Sequence, residues 1–206
     1  MSDVDGYVAP VAAALHTPVL LEESMELLAP REGGRYLDGT VGLGGHAEAI
    51  LRHGAWLCGI DRDQSALEFA GGRLRVFGGR ARLFALPFSE FTDALDELDW
   101  DEVDGMLLDI GVSSMQLDMA ERGFSFTADG PLDMRMNPEQ GTVSAWHLVN
   151  RERPELLKRI IAELGEDPQA GRIARHIAEE RRKNPIDSTR QLAALVERAY
   201  PSAWRA

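Results

Sequence analysis

The chain has 206 residues, a formal net charge of −12, 44% hydrophobic residues and 27% charged residues. That length can bury a core of its own, and the balance is that of a globular protein rather than a disordered or fibrous one. The acidic excess excludes indiscriminate binding to nucleic acid, because phosphate contacts supply most non-specific affinity, but it leaves room for a local basic surface.

The N-terminal stretch MSDVDGYVAP has neither a basic start nor a long apolar segment. No apolar run reaches the roughly 20 residues that span a bilayer, so the expectation is a cytoplasmic protein with no membrane partner. The first strand signal is RYLDGT (35–40), bounded by glycine. HAEAILRHG (46–54) follows, with Ala47, Ile50 and Leu51 at helical spacing and Gly54 placed to end the helix. AWLCGID (55–61) reads as a second strand. Its Cys58 is the only cysteine, so neither a disulfide nor a multi-cysteine zinc site can form, no metal is expected, and Cys58 reads as a small core residue. DQSALEFAGGRLRVF (63–77) sets Ala66, Leu67 and Ala70 on one helix face; RARLFALP (80–87) and VDGMLLDIG (103–111) are further strands. Strands alternating with helices predict right-handed crossovers and a parallel sheet, an α/β core.

From about residue 120 onward the pattern is helical, in RERPELLKRIIAEL (151–164), PQAGRIARHIAEERRK (168–183) and STRQLAALVERAY (188–200). Pro154 near a helix start and Ser188 as an N-cap fit those positions. The expected organisation is a core over residues 1–118 and a helical unit over 119–206. A nucleotide-binding sheet of this kind usually has at least five strands, and only four are legible.

Between the first strand and its helix lies DGTVGLGGH (38–46), where an open parallel sheet binds its ligand. A phosphate-gripping loop would need Lys and Ser or Thr where Gly45 and His46 stand, and is discarded. The dinucleotide fingerprint is met in its relaxed form by Gly42, Gly44 and Ala47, with Asp61 at the distance of a ribose-binding acid. Asp38, just before the loop, tips the balance: a carboxylate there repels a pyrophosphate and suits a ligand with a cationic amino-acid end. S-adenosylmethionine has an ammonium, a sulfonium and no phosphate. Asp38, Gly42, Gly44 and Gly45 then form its loop, and Asp61 accepts from the ribose hydroxyls. Either acid alone could equally be a turn former or helix cap. His46 reads as a loop or cap residue touching the cofactor. Asp109, ending the fourth strand beside the first in a doubly wound order, should face the reactive end. There it could accept a hydrogen bond from a target amine and aim its lone pair at the methyl, a reaction in which positioning contributes most.

HTPVLLEE (16–23), DGTVGLGGH (38–46), IDRD (60–63), DGMLLDIGVSSMQLD (104–118), ERGFSF (121–126) and GPLDMRM (130–136) together resemble the bacterial 16S rRNA (cytosine-N4)-methyltransferase family. The resemblance implies a Rossmann-like class I methyltransferase sheet with a helical insertion that helps bind substrate. It implies transfer to the exocyclic N4 amine of a decoding-region cytidine in 16S rRNA, with the small ribosomal subunit as partner. Cofactor contacts are implied at Gly44, Gly45, His46, Asp61, Phe88, Asp109 and Gln116. Two positions depart from the family pattern, Met115 where Pro is usual and Ile110 where Leu is commoner. Family members continue well beyond residue 206, so the resemblance implies an incomplete sheet.

For RNA contact, Arg122 and Arg135 lie in the unusual segments, and Phe124 and Phe126 could stack on an unpaired base or anchor the loop. Arg172, Arg175 and Arg182 share a helix face, but the interleaved Glu179 and Glu180 fit a solvated, salt-bridged surface. Two rivals stand beside the methyltransferase reading: a dinucleotide-dependent oxidoreductase, and a truncated, inactive RNA-binding fragment.

Overall fold

The computed structural model describes residues 18–138, 141 and 143–201. The described residues fall into two compact units, one ending at Ser113 and one starting at Ser114.

The first unit is built on a four-stranded parallel sheet: β1 (Arg35–Asp38), β2 (Trp56–Asp61), β3 (Ala81–Ala85) and β4 (Gly105–Leu107). The spatial order is β3-β2-β1-β4, the inner part of the doubly wound Rossmann-like order. Register is continuous through the middle, with Leu37 opposite Cys58 and Met106, and Cys58 opposite Arg82. Because β1 and β2 carry apolar residues in succession, both faces of the sheet can be covered, as a parallel sheet requires. On one face, α2 (Gly45–Arg52) and α3 (Gln64–Leu74) bury Ala47, Ile50, Leu51, Leu67, Ala70 and Leu74 against Tyr36 and Leu57. On the other, α4 (Phe91–Glu97) brings Ala94 and Leu95 onto Leu37, Cys58 and Ile60. Each fully buried Leu or Ile contributes about 1.5–3 kcal/mol. A further helix, α1 (Leu21–Leu28), packs Met25 and Leu28 at the margin of the first cluster.

Gly54, at φ +81, follows the last turn of α2 and lets the chain turn into β2. Asp63 caps α3 by accepting from Ser65 N–H at 3.1 Å. β4 is shorter than the sequence suggests, and Asp109 lies two residues past its end. After Leu107 the main-chain ladder gives way to a side-chain bond: Gly39 N–H reaches Leu107 O at 3.0 Å, whereas Asp109 N–H reaches Thr40 Oγ1 at 2.7 Å. Met106, Leu108, Ile110 and Val112 along this edge are exposed.

The second unit holds α5 (Ser114–Asp118), α6 (Ala145–Arg151), α7 (Pro154–Glu163), α8 (Ala170–Glu180) and α9 (Thr189–Ala199). Its core joins Leu132, Val149, Leu157, Ile173, Ile177, Ile186 and Leu195. Pro154 takes the first position of α7, and Ser188 closes a capping box with Gln191 on α9. Among the described residues, extended pairing here is limited to one bridge, Pro131 with Ser188.

Candidate cofactor and substrate sites

At the carboxyl ends of β1 and β2, the loop Gly39–Gly44 is fixed by hydrogen bonds that leave specific groups unused. Thr40 N–H donates to Asp38 Oδ1 at 3.1 Å, Val41 N–H to Ile60 O at 2.9 Å, and Gly42 N–H to Asp61 Oδ2 at 2.9 Å. Asp61 Oδ1 accepts from Asp63 N–H, also at 2.9 Å. Gly42 and Gly44 take positive φ, +50 and +79, so the turn into α2 needs glycine at both. Gly39 is required for a different reason. A Cβ there would lie 2.6 Å from Leu108 Cδ2 and 3.2 Å from Phe88 Cβ, so close packing of the residue just past β4 and of the 3-10 turn after β3 depends on its absence.

Asp38 carries the clearest chemical signal. It is buried, and its Oδ2 has no hydrogen-bond partner among the described residues. Burial pushes its carboxyl up to about 7; the Thr40 N–H offsets this only in part, and Asp61 and Asp109 add repulsion. Burial likewise raises Asp61, against the N–H donors of Asp63 and Gly42. An unsatisfied buried acceptor of this kind costs about 1–3 kcal/mol, more if charged, and is relieved by a ligand that donates. Beside it, the N-cap of α2 is Gly44, which brings no side-chain cap of its own to the first turn, and a turn of that kind favours an anion. An orphan acceptor next to a helix start with glycine at its N-cap complements the two ends of an α-amino acid.

The other expected cofactor residues are distributed unevenly. Phe88 is half-exposed at the rim beside Gly39. Asp109 is exposed, and its carboxylate makes no hydrogen bond to the described residues. His46, on the first turn of α2, is buried and uses Nε2 on Val19 O. Gly45 packs against Pro18. Gln116 lies in α5 of the second unit, where it is buried and engaged.

Both arginines singled out for RNA contact are committed within the second unit. Arg122 Nη2 donates to Met136 O at 2.8 Å and Arg135 O at 3.3 Å. Arg135 forms a two-pronged pair with Asp133, at 2.9 Å and 2.5 Å, and donates to Pro138 O. These bonds shape the 121–136 segment. Phe126, by contrast, is 92% exposed, and with Phe124, Met134, Leu192 and Val196 it lines an apolar cleft of about 470 Å³ against α9. Asp129 fastens the cleft by accepting from Arg190 N–H and Thr189 Oγ1. On α8, Arg172 and Arg175 are exposed opposite the buried Ile173 and Ile177, whereas Arg182, also exposed, lies past the helix end in the turn that follows Glu180.

Sequence reasoning passed over Thr40, which donates to Asp38 and accepts from Asp109 and so ties together the strand ends that carry them. A hydroxyl residue directly after Asp-Gly was the available signal. Asp63 as a cap was legible in the same way.

Comparison with known proteins gives a consistent result. The profile described as "MraW methylase family" matches residues 13–206. A ribosomal RNA small subunit methyltransferase H of Desulfovibrio desulfuricans is 65% identical over 193 residues, which cover 93% of this chain and 59% of that protein. One of Nitratidesulfovibrio vulgaris is 62% identical over 205 residues, covering 98% and 63% respectively. One of Lawsonia intracellularis is 53% identical over 195 residues, covering 93% and 62%. The chain thus spans between 59% and 63% of the length of these relatives.

Proposed function

Since the chain belongs to the MraW methylase family, we propose that it forms the cofactor-holding part of an S-adenosylmethionine-dependent rRNA methyltransferase, with the N4 amine of a 16S cytidine as acceptor. The observation that carries this reading is the buried Oδ2 of Asp38, without a partner among the described residues, beside the start of α2 with glycine at its N-cap. The cofactor supplies an electrophilic methyl on a sulfonium. Asp38 takes its ammonium, the first turn of α2 its carboxylate, Asp61 its ribose hydroxyls and Phe88 a face of its adenine. A dinucleotide would bring pyrophosphate to a rim lined by Asp38, Asp61 and Asp109, an arrangement of like charges that disfavours it.

Asp109 is the proposed catalytic residue. Thr40 Oγ1 holds its main chain, while its carboxylate is free to accept from an exocyclic amine. Accepting that hydrogen bond orients the nitrogen lone pair, and the carboxylate can take the proton released as the nitrogen–methyl bond forms.

Charge distribution supports RNA contact by the second unit. Residues 1–113 hold 8 Lys and Arg against 20 Asp and Glu, whereas residues 114–206 hold 14 against 14, so the entire acidic excess lies outside the helical unit. Exposed Phe126, with Phe124 behind it, offers a stacking surface for an unpaired base. Arg122 and Arg135 contribute by holding that segment in shape.

The test is methyl transfer from labelled S-adenosylmethionine to small-subunit RNA. Incorporation that maps to a cytidine N4 and disappears with Asp109→Ala supports the reading. Full activity of the Asp109→Ala protein would refute the role assigned to Asp109.

A further inference from the structure

Pro18 and Val19 lie across the first turn of α2, on the two residues that follow the glycine turn. A Cβ at Gly45 would penetrate the Pro18 ring at Cγ, so proline occupies the space that any other residue at 45 would need. His46 is 8% exposed, and its Nε2 donates to Val19 O at 3.0 Å. A carbonyl can only accept, so this contact fixes Nε2 as the protonated nitrogen. Leu20 follows in the left-handed region, φ 51 and ψ 39, which costs a non-glycine residue about 1–2 kcal/mol. Neither apolar side chain is repaid by burial: Val19 is 64% exposed and Leu20 63%. A strained turn, clipped at two points and exposing its apolar side chains, is better explained by what it encloses than by its own packing.

We propose that Pro18–Leu20 is a strap walling the amino-acid end of the cofactor site, and that Gly45 and His46 are positioning residues that seat it. The proposal rests on the reading of the glycine loop as an S-adenosylmethionine site. The strap crosses the turn that would hold the cofactor's carboxylate, and shielding that turn from water would strengthen the charge interactions made there. Gly45 is needed so that Pro18 can close down. His46 is needed for its Nε2–H, which holds Val19 in place.

The test compares dissociation of S-adenosylhomocysteine, thermal midpoint and proteolytic cleavage at residues 18–20 in the whole chain. The proteins are wild type, Gly45→Ala, Gly45→Ala with Pro18→Gly, His46→Gln and His46→Phe. The expected result is at least tenfold faster dissociation and faster cleavage for Gly45→Ala, with partial recovery when Pro18→Gly removes the obstruction. Gln at 46 keeps a donor and stays near wild type, whereas Phe keeps bulk without a donor and behaves like Gly45→Ala. Wild-type dissociation in both Gly45→Ala and His46→Phe would overturn the proposal, as would Gln performing no better than Phe. Failure of the wild-type chain to bind the ligand would instead overturn the reading of the loop, and the strap with it.

Discussion

Asp38→Asn removes a charge that the ligand-free fold holds at a cost. Its carboxyl titrates near 7 instead of 3.8 because burial penalises the ionised form. At about 1.4 kcal/mol per pH unit, the ionised group costs the fold roughly 4 kcal/mol. The sign follows from proton binding: between pH 4 and pH 7 the folded state keeps a proton that the unfolded state has lost, so stability falls as pH rises through that window. Asn retains the bond from Thr40 through Oδ1 but places an amide NH2 where Oδ2 was unpartnered, which costs about 1–3 kcal/mol. The ligand-free Asn protein should therefore be about 1–3 kcal/mol more stable than wild type at pH 8 and no more stable at pH 4. Urea denaturation across that range measures both. The same substitution should weaken S-adenosylhomocysteine binding by roughly 10- to 150-fold, the worth of a charge-assisted hydrogen bond. Lower stability at pH 8, or pH profiles that run parallel, would refute the reasoning.

Other consequences are as specific. Cofactor affinity should rise with pH through about 7, because the ligand's ammonium needs Asp38 ionised, and calorimetry in buffers of different ionisation enthalpy should register the released proton. Asp109→Ala should keep the thermal midpoint within about 2 °C and lower transfer at least 100-fold, since the side chain is exposed and has no bond to the described residues. Phe126→Ala should weaken binding of an unstructured RNA oligonucleotide by about 1–3 kcal/mol without loss of stability, because stacking is lost and nothing is uncovered. Arg122→Ala should do the reverse, costing about 1–3 kcal/mol of stability by freeing the carbonyls of Arg135 and Met136, as denaturation would report.

The α/β core was legible because apolar strand runs and helical spacing coincide with glycine and proline punctuation. All four strands and the helices at 45–52 and 64–74 lie where that pattern predicts them. Less was visible where the pattern thins. The short α4 at 91–97 buries only Ala94 and Leu95, too few apolar positions to set a period. In the site, the acids and glycines were legible because each has a distinctive type at a fixed distance from a strand end. The direction of a side chain was not. Nothing in HTPVLLEE indicated that Val19 would take the His46 bond, and nothing in ERGFSF or DMRM indicated that both arginines would be spent on nearby carbonyls and Asp133. Such partners are brought together by tertiary folding, and a linear pattern records only that an arginine is present.

The central claim is that DGTVGLGGH and its acids form an S-adenosylmethionine site, and the most direct measurement is isothermal titration of that cofactor into this chain, with Asp61→Ala and NADH as controls. The account requires saturable binding of one S-adenosylmethionine, its loss in Asp61→Ala, and no heat from NADH. A folded chain that binds NADH, or that binds S-adenosylmethionine equally well without the Asp61 carboxylate, would contradict it.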